Sequence, residues 1–292
     1  MRSGVILERR SDGAASQRSV ALERCDCEPV APRGGRPIYL FKHWKGVAES
    51  IHSAKSILLF LDFDGTLTPL RKRPQDVMPL GLPLRWLLGR LNRMRLIRLY
   101  VISGRTLADL RRLVPIAGVH LLGLHGYEGR LSARRLRERR LLAKVKDALE
   151  RNLPATKRIW IEDKKLGLAV HYREATAAAV RRASPVIHET CERFRPLIHL
   201  LEGKKVWELL PKAIVGKGPV VRALIANQRR PVLPVFVGDD TTDEMAFAEL
   251  SNGLTIRVGG RAPTKAQFYL RNPGEVKRFL ERLEGEIRGN GE

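Results

Sequence analysis

A chain of 292 residues with 43% hydrophobic side chains carries enough apolar surface for a sizeable core, which excludes a disordered protein. No apolar stretch approaches the ~18 residues of a membrane span, and MRSGVILERRSDGAAS at the start has no apolar segment leading to a cleavage site, so neither a membrane protein nor a secreted one is expected. The formal charge of +23, from 54 Lys+Arg against 31 Asp+Glu, admits a nucleic-acid binder, an enzyme for anionic substrates, or an arginine-rich composition without a partner.

Residues 1–45 mix Arg, Gly, Ser and Pro without periodicity and read as a tail or loose extension. Cys25 and Cys27 lie in it; with Cys191 they make an odd, sparse set that suits a reducing, cytoplasmic setting. No second pair accompanies Cys25 and Cys27 to complete a metal site. From residue 56 the pattern changes. SILLFL (56–61), IRLYVIS (97–103), HLLGLHG (120–126), LPVFVGD (233–239) and LTIRVG (254–259) are short and apolar on both faces, as parallel strands covered by helices are. GLPLRWLLGRLNRM, TLADLRRLV and DEMAFAELS lie between them with helical spacing of apolar residues. An open, Rossmann-like α/β sheet with crossover connections is expected.

Residues 130–210 break this rhythm. They read as helix (134–151), strand IWIEDK, a turn, strand LGLAVHY, helix TAAAVRRASPVIHETCERF and a hairpin around Glu202-Gly203-Lys204. This predicts an inserted α+β cap at 130–210, with the core made of 46–129 and 211–292. The densest basic run, RRLRERRLLAKVK (134–146), is an amphipathic helix with a solvated basic face. No aromatic interleaves with it as a stacking platform, so nucleic acid is not the expected partner.

Asp62 and Asp64 end the first core strand, where ligands of open α/β sheets bind, and Gly65 allows the chain to turn sharply there. Such a pair can hold a hard cation or divide nucleophile and acid/base roles; DGT alone is as ordinary as any strand-capping turn. Company decides the matter. Ser103, Gly104 and Arg105 follow a second strand, Lys217 precedes a helix, and Asp239, Asp240 and Asp243 follow a further strand. This ordered set can accommodate a phosphoryl group and a divalent metal.

The set resembles the haloacid dehalogenase superfamily of phosphohydrolases. More closely, LDFDGTLTPL, VISGR, LHGYEG, IEDKKLGLAVHYR, GKKVWELLP and GDDTTDEMAF are similar to trehalose-6-phosphate phosphatases, and the cap segments carry the most weight. The resemblance implies that Asp62 is the nucleophile, forming an aspartyl-phosphate, and that Asp64 is the general acid and then base. It implies Mg2+ held by Asp62, the Asp64 backbone carbonyl and Asp239. Asp240 and Asp243 would hold metal waters or orient Lys217. Ser103 and Lys217 would meet the phosphate. Glu162, Lys164 and Glu208 become expected sugar contacts from the cap. Arg105 either crosses from core to cap or pairs with a helix acid. His125 is as well explained by packing, but belongs to the expected substrate set. His171 and Arg173 are explained as a hairpin edge. The expected substrate is trehalose 6-phosphate. A different sugar phosphate, such as sucrose 6-phosphate or a glucosyl-glycerate phosphate, is the nearest alternative; a non-catalytic polyanion binder on the same fold is the alternative from another class.

Overall fold

The computed structural model describes residues 36–128, 135–212, 214, 216–260 and 262–289. Cys25, Cys27, most of the 1–45 extension and the expected cap entry at residue 130 lie outside the described residues.

A short strand β1 (Ile38–Tyr39) and helix α1 (Trp44–Ser53) precede β2 (Ile57–Leu61), α2 (Leu82–Arg93), β3 (Ile97–Ile102), α3 (Leu107–Leu113) and β4 (His120–Leu122). Next come α4 (Arg135–Asn152), β5 (Trp160–Asp163), β6 (Leu168–His171), α5 (Ala177–Arg193), β7 (Ile198–Gly203) and β8 (Val206–Pro211). The chain closes with α6 (Lys217–Ala226), β9 (Leu233–Gly238), α7 (Thr241–Glu249), β10 (Leu254–Val258), β11 (Phe268–Leu270) and α8 (Pro273–Gly289).

Seven parallel strands form the main sheet in the order β1-β11-β10-β9-β2-β3-β4. Every residue of β2 is buried. Ile57, Leu59 and Leu61 enter a cluster with side chains of α1, α2 and α8, while Leu58 and Phe60 enter another with α6 and α7. Cover on both faces is why the strand reads as an unbroken apolar run. From β2 the sheet grows through β3 and β4 on one side and through β9, β10 and β11 on the other. The order therefore reverses between β2 and β9, and a crevice opens at their carboxyl ends. Asp62 and Asp239 stand there.

The core does not begin at residue 46. Ile38 and Tyr39 pair with Phe268 and Tyr269 at the sheet edge, and Leu40 is fully buried. Trp44 packs edge-on against Phe279 and its Nε1 donates to Glu286 at 2.8 Å. A two-residue strand has no periodicity to read, which is why the sequence pattern places it in the tail.

The second sheet is antiparallel, in the order β5-β6-β8-β7. Leu168, Val170, Trp207 and Leu209 on one face pack with Leu142, Val145 and Leu149 of α4 and Ala183 and Ile187 of α5. Alternation sends their neighbours to the other face. Glu162 pairs with Ala169 and Ala169 with Glu208, so the two glutamates lie in one cross-strand row with a small residue between them. The β7–β8 turn falls at Lys204-Lys205, with Lys205 at φ 68°, slightly beyond the expected Glu202-Gly203-Lys204. Cys191, on α5, is half-buried and free. Among the described residues no helix is long and apolar enough to cross a membrane.

Candidate active site

Asp62 continues the ladder of β2, its N–H donating to the Val237 carbonyl at 2.9 Å, and its carboxylate is buried at the sheet crevice. The following turn closes with Gly65 N–H donating to the Thr68 carbonyl at 2.8 Å. Gly65 has φ 84°, and a Cβ placed on it would lie 2.2 Å from Asp239 Oδ2. Any side chain there would displace the carboxylate from β9, so this glycine is required twice over.

Lys217 opens α6 and is 1% exposed. Its Nζ donates to Asp62 Oδ1 at 2.6 Å and to Asp243 Oδ1 at 2.7 Å. Asp243 Oδ2 accepts from the Asp240 N–H at 2.9 Å, while Asp240 Oδ1 accepts from Thr241 N–H at 2.7 Å. Both aspartates thus cap α7, and Asp243 also fixes the lysine. Lys204, from the cap turn, reaches Asp239 Oδ2 at 3.2 Å.

Burial pushes the Asp62 carboxyl well above its ordinary range, Lys217 opposing and Asp243 and Asp239 adding repulsion. Asp239 is pushed up to about 7 by burial and by Asp243, against the pull of Lys204. For Lys217, burial opposes the charge, yet Asp243 and Asp62 hold its pKa above the ordinary value. Carboxylate oxygens of Asp62, Asp239 and Asp243 approach within 4.8 Å of one another. Asp239 Oδ1 is buried without a hydrogen-bond partner. Crowded carboxylates, an orphaned oxygen and an all-oxygen donor set fit a hard divalent cation such as Mg2+.

The Asp64 side chain stands apart from that cluster. Arg105 grips it through two bonds, Nε to Oδ2 at 2.6 Å and NH2 to Oδ1 at 2.8 Å, and donates also to the Pro74 carbonyl. Of the two expected uses of Arg105, neither provides its hydrogen-bond partner: it bonds Asp64 and Pro74 of the core, while Asp109 of α3 and Glu162 of the cap act on it through charge alone. Ser103 is buried beside them, with its Oγ accepting from the Arg105 N–H at 3.2 Å.

From the cap, Lys164 Nζ donates to Glu208 Oε1 at 2.6 Å and to the Gly104 carbonyl at 3.0 Å. The second Glu208 oxygen lies 2.6 Å from His125 Nε2. Burial opposes ionisation of Glu208, but Lys164 and His125 hold its pKa far below the ordinary range. Glu162 is held 2.8 Å from His171 Nε2, and that ring stacks on Trp160 at 4.2 Å. One cleft is lined by Asp62, Asp64, Ser103, Gly104, Arg105, His125, Glu162, Lys164, Glu208, Lys217, Asp239 and Asp240; Asp243 lies behind it. His171 and Arg173, explained from sequence as a hairpin edge, also line this cleft, as do Arg71, Lys72, Arg73, Lys204 and Lys205. The sequence sign for the last two is a basic turn leading into the apolar strand that carries Glu208.

A sequence profile described as Trehalose-phosphatase matches residues 60–273. The chain belongs to the trehalose-phosphatase family. A trehalose-phosphate phosphatase of Mycobacterium ulcerans is 30% identical over 250 residues, covering 78% of this chain and 62% of the relative. This chain therefore spans about three-fifths of the length of that curated relative. The C-terminal domain of Candida albicans trehalose-6-phosphate phosphatase superposes with TM-score 0.74 at 24% identity, over 87% of this chain and 99% of that one. A haloacid dehalogenase-like hydrolase from Bacteroides thetaiotaomicron superposes with TM-score 0.54 at 17% identity, over 78% of this chain and 100% of that one. These likenesses establish the fold of a haloacid dehalogenase-like hydrolase with a cap.

Proposed function

We propose that the chain is a Mg2+-dependent phosphatase that converts trehalose 6-phosphate to trehalose and phosphate, the last step of trehalose biosynthesis. The observation carrying this reading is the buried Asp62–Lys217–Asp243 arrangement beside the orphaned oxygen of Asp239, in a member of the trehalose-phosphatase family.

Asp62 attacks phosphorus; the bond from phosphorus to the sugar oxygen breaks, and an aspartyl-phosphate forms. Asp64 gives a proton to the departing oxygen and then takes one from the water that releases phosphate and frees Asp62. Both Asp64 oxygens are engaged by Arg105, so proton delivery requires that fork to open, and an arriving phosphate competes for the guanidinium. Lys217 offsets charge on the nucleophile and the transferring group, Ser103 donates to a phosphate oxygen, and Asp243 holds Lys217 in place. Asp62, Asp239 and the Asp64 backbone would hold Mg2+, which supplies charge neutralisation to the phosphoryl group when bound.

Asp239 gives the metal assignment a test. A ligand with its pKa near 7 must shed its proton to bind, so Mg2+ affinity is expected to tighten as pH rises from about 6 to about 8. Titration calorimetry in two buffers of different ionisation enthalpy reads the released proton; pH-independent binding counts against Asp239 as ligand.

Asp64→Asn is expected to cost at least ~100-fold in kcat with a sugar phosphate but far less with nitrophenyl phosphate, whose leaving group departs without a proton. Equal losses on both would reduce Asp64 to a structural residue. Glu162→Ala is expected to cost ~100-fold in kcat/KM for trehalose 6-phosphate, about 2.7 kcal/mol, and little for a small aryl phosphate. A site built to bond hydroxyls loses discrimination when a partner goes. If both substrates fall together, Glu162 supports the core site instead.

Phosphate release from trehalose 6-phosphate, sucrose 6-phosphate and a glucosyl-glycerate phosphate, with and without Mg2+, tests the whole reading. Metal-dependent turnover greatest with trehalose 6-phosphate is expected. A different preferred sugar changes the substrate; no turnover on any overturns the activity.

A further inference from the structure

Glu208 joins the cap to the core through a side chain that the proposed chemistry leaves without a task. We infer that His125 is a positioning residue that fastens Glu208 when the cap is closed, fixing the direction in which its carboxylate meets the sugar. This inference rests on the sugar-phosphatase reading above.

Four groups form the junction. Glu208 on β8 and Lys164 beyond β5 belong to the cap; His125 and the Gly104 carbonyl belong to the core. His125, Glu208 and Lys164 are 3%, 5% and 9% exposed, so none has water as a ready alternative partner. When the cap lifts, Glu208 and Lys164 leave as a pair, and within this junction the bonds that break are His125 to Glu208 and Lys164 to Gly104, apart from the separate cap–core bond of Lys204 to Asp239. A carboxylate only accepts, so Nε2 of His125 is assigned as the donor.

The geometry fixes orientation as well as position. The terminal torsion of a glutamate is broad, and one bond leaves it free to turn. Here Lys164 takes Oε1 and His125 takes Oε2, so the carboxylate plane is set and its remaining lone pairs have one direction. The histidine is itself held stiffly. It sits at φ 56°, after Leu124 at φ 46°, and its N–H donates to the Ser103 carbonyl at 2.9 Å. Two successive non-glycine residues in the left-handed region are strained, and such strain persists only where the surrounding structure over-determines it. A Cβ on Gly104 would come 3.0 Å from the imidazole, so the backbone of the Ser103-Gly104-Arg105 loop presses directly on the ring. The loop expected to contact phosphate thereby touches the residue that holds the cap.

His125→Asn and His125→Gln separate this role from a structural one. Asn is the better residue for left-handed backbone, but its amide is too short to reach Glu208. Gln suits the backbone less well and carries an amide nitrogen to about the place of Nε2. With trehalose 6-phosphate and Mg2+, kcat/KM should fall at least ~30-fold for His125→Asn and clearly less for His125→Gln. Thermal midpoints should rank the other way. Combining His125→Asn with Glu208→Gln should add less than ~3-fold to the loss of Glu208→Gln alone, because one acts through the other. Asn equal to or better than Gln in kcat/KM overturns the inference, as does a double variant whose loss is the product of the two. If one single variant fails to fold, the double in the Glu208→Gln background decides by the same criterion. A parent without activity on any sugar phosphate overturns the phosphatase reading and this inference together; an active parent with the wrong ranking overturns this inference alone.

Discussion

Asp62→Asn is expected to lower kcat on trehalose 6-phosphate by at least ~10⁴-fold while leaving the fold as stable as the parent, or more stable, in metal-free buffer. An amide nitrogen or oxygen does not attack phosphorus as a carboxylate does, so the covalent route closes and the slow direct attack of water remains. Uncatalysed hydrolysis of phosphate monoesters is among the slowest reactions enzymes accelerate, by up to ~10²¹-fold, so the residual rate from positioning alone is small. The stability half follows from burial. A carboxyl whose folded pKa is raised above its unfolded value favours folding at low pH and loses that contribution as pH rises through the folded value. At neutral pH an ionised Asp62 is therefore a cost, and a neutral amide removes it. Lys217 is not orphaned by the change, since Asp243 still holds it at 2.7 Å. Added Mg2+ should stabilise the parent more than the variant. The measurements are single-turnover phosphate release and urea midpoints with and without Mg2+. Turnover within tenfold of the parent would refute Asp62 as the nucleophile.

What could be read from the sequence was local, and what could not was long-range. Strands β2 and β9 carry five apolar residues in a row, and β3 and β10 are broken by a single arginine each, Arg98 and Arg257; two-sided burial imposes such runs whatever the rest of the chain does. The aspartates, Ser103 and Lys217 were legible because each stands within a few residues of an element end. Partnerships were not. Arg105 and Asp64 are 41 residues apart, and nothing near either names the other. His125 and Glu208 are 83 apart, one in the turn after β4 of the main sheet and the other on β8 of the second sheet. Lys204 looked like a turn residue because it is one; that the turn hangs over Asp239 depends on how the cap sits on the core. Strands β1 and β11 have two and three residues, too few for a period to show.

The same ion pair, broken from the other side, should behave in the opposite way. Lys217→Met is expected to lower kcat by at least ~10³-fold and to destabilise the metal-free protein by about 3–5 kcal/mol at neutral pH, the usual cost of leaving a buried charge uncompensated. Lys217 is almost wholly buried and is the ammonium against which both Asp62 and Asp243 are set. Methionine fills much of the lysine's volume, so the loss reports charge rather than a cavity. With the ammonium gone, the Asp62 carboxyl loses the charge that opposes its upward shift, and the folded variant takes up a proton that the unfolded chain does not. The sign is then determined. A raised folded pKa contributes stability below the unfolded value and loses it as pH rises, so the deficit relative to the parent should be small near pH 5 and largest near about pH 8. Adding Asp62→Asn to Lys217→Met should recover part of the stability and none of the activity, because it removes one stranded charge along with the nucleophile. A pH-independent deficit, or a double variant less stable than Lys217→Met, would show that Lys217 holds α6 by packing and that the paired aspartates do not depend on its charge.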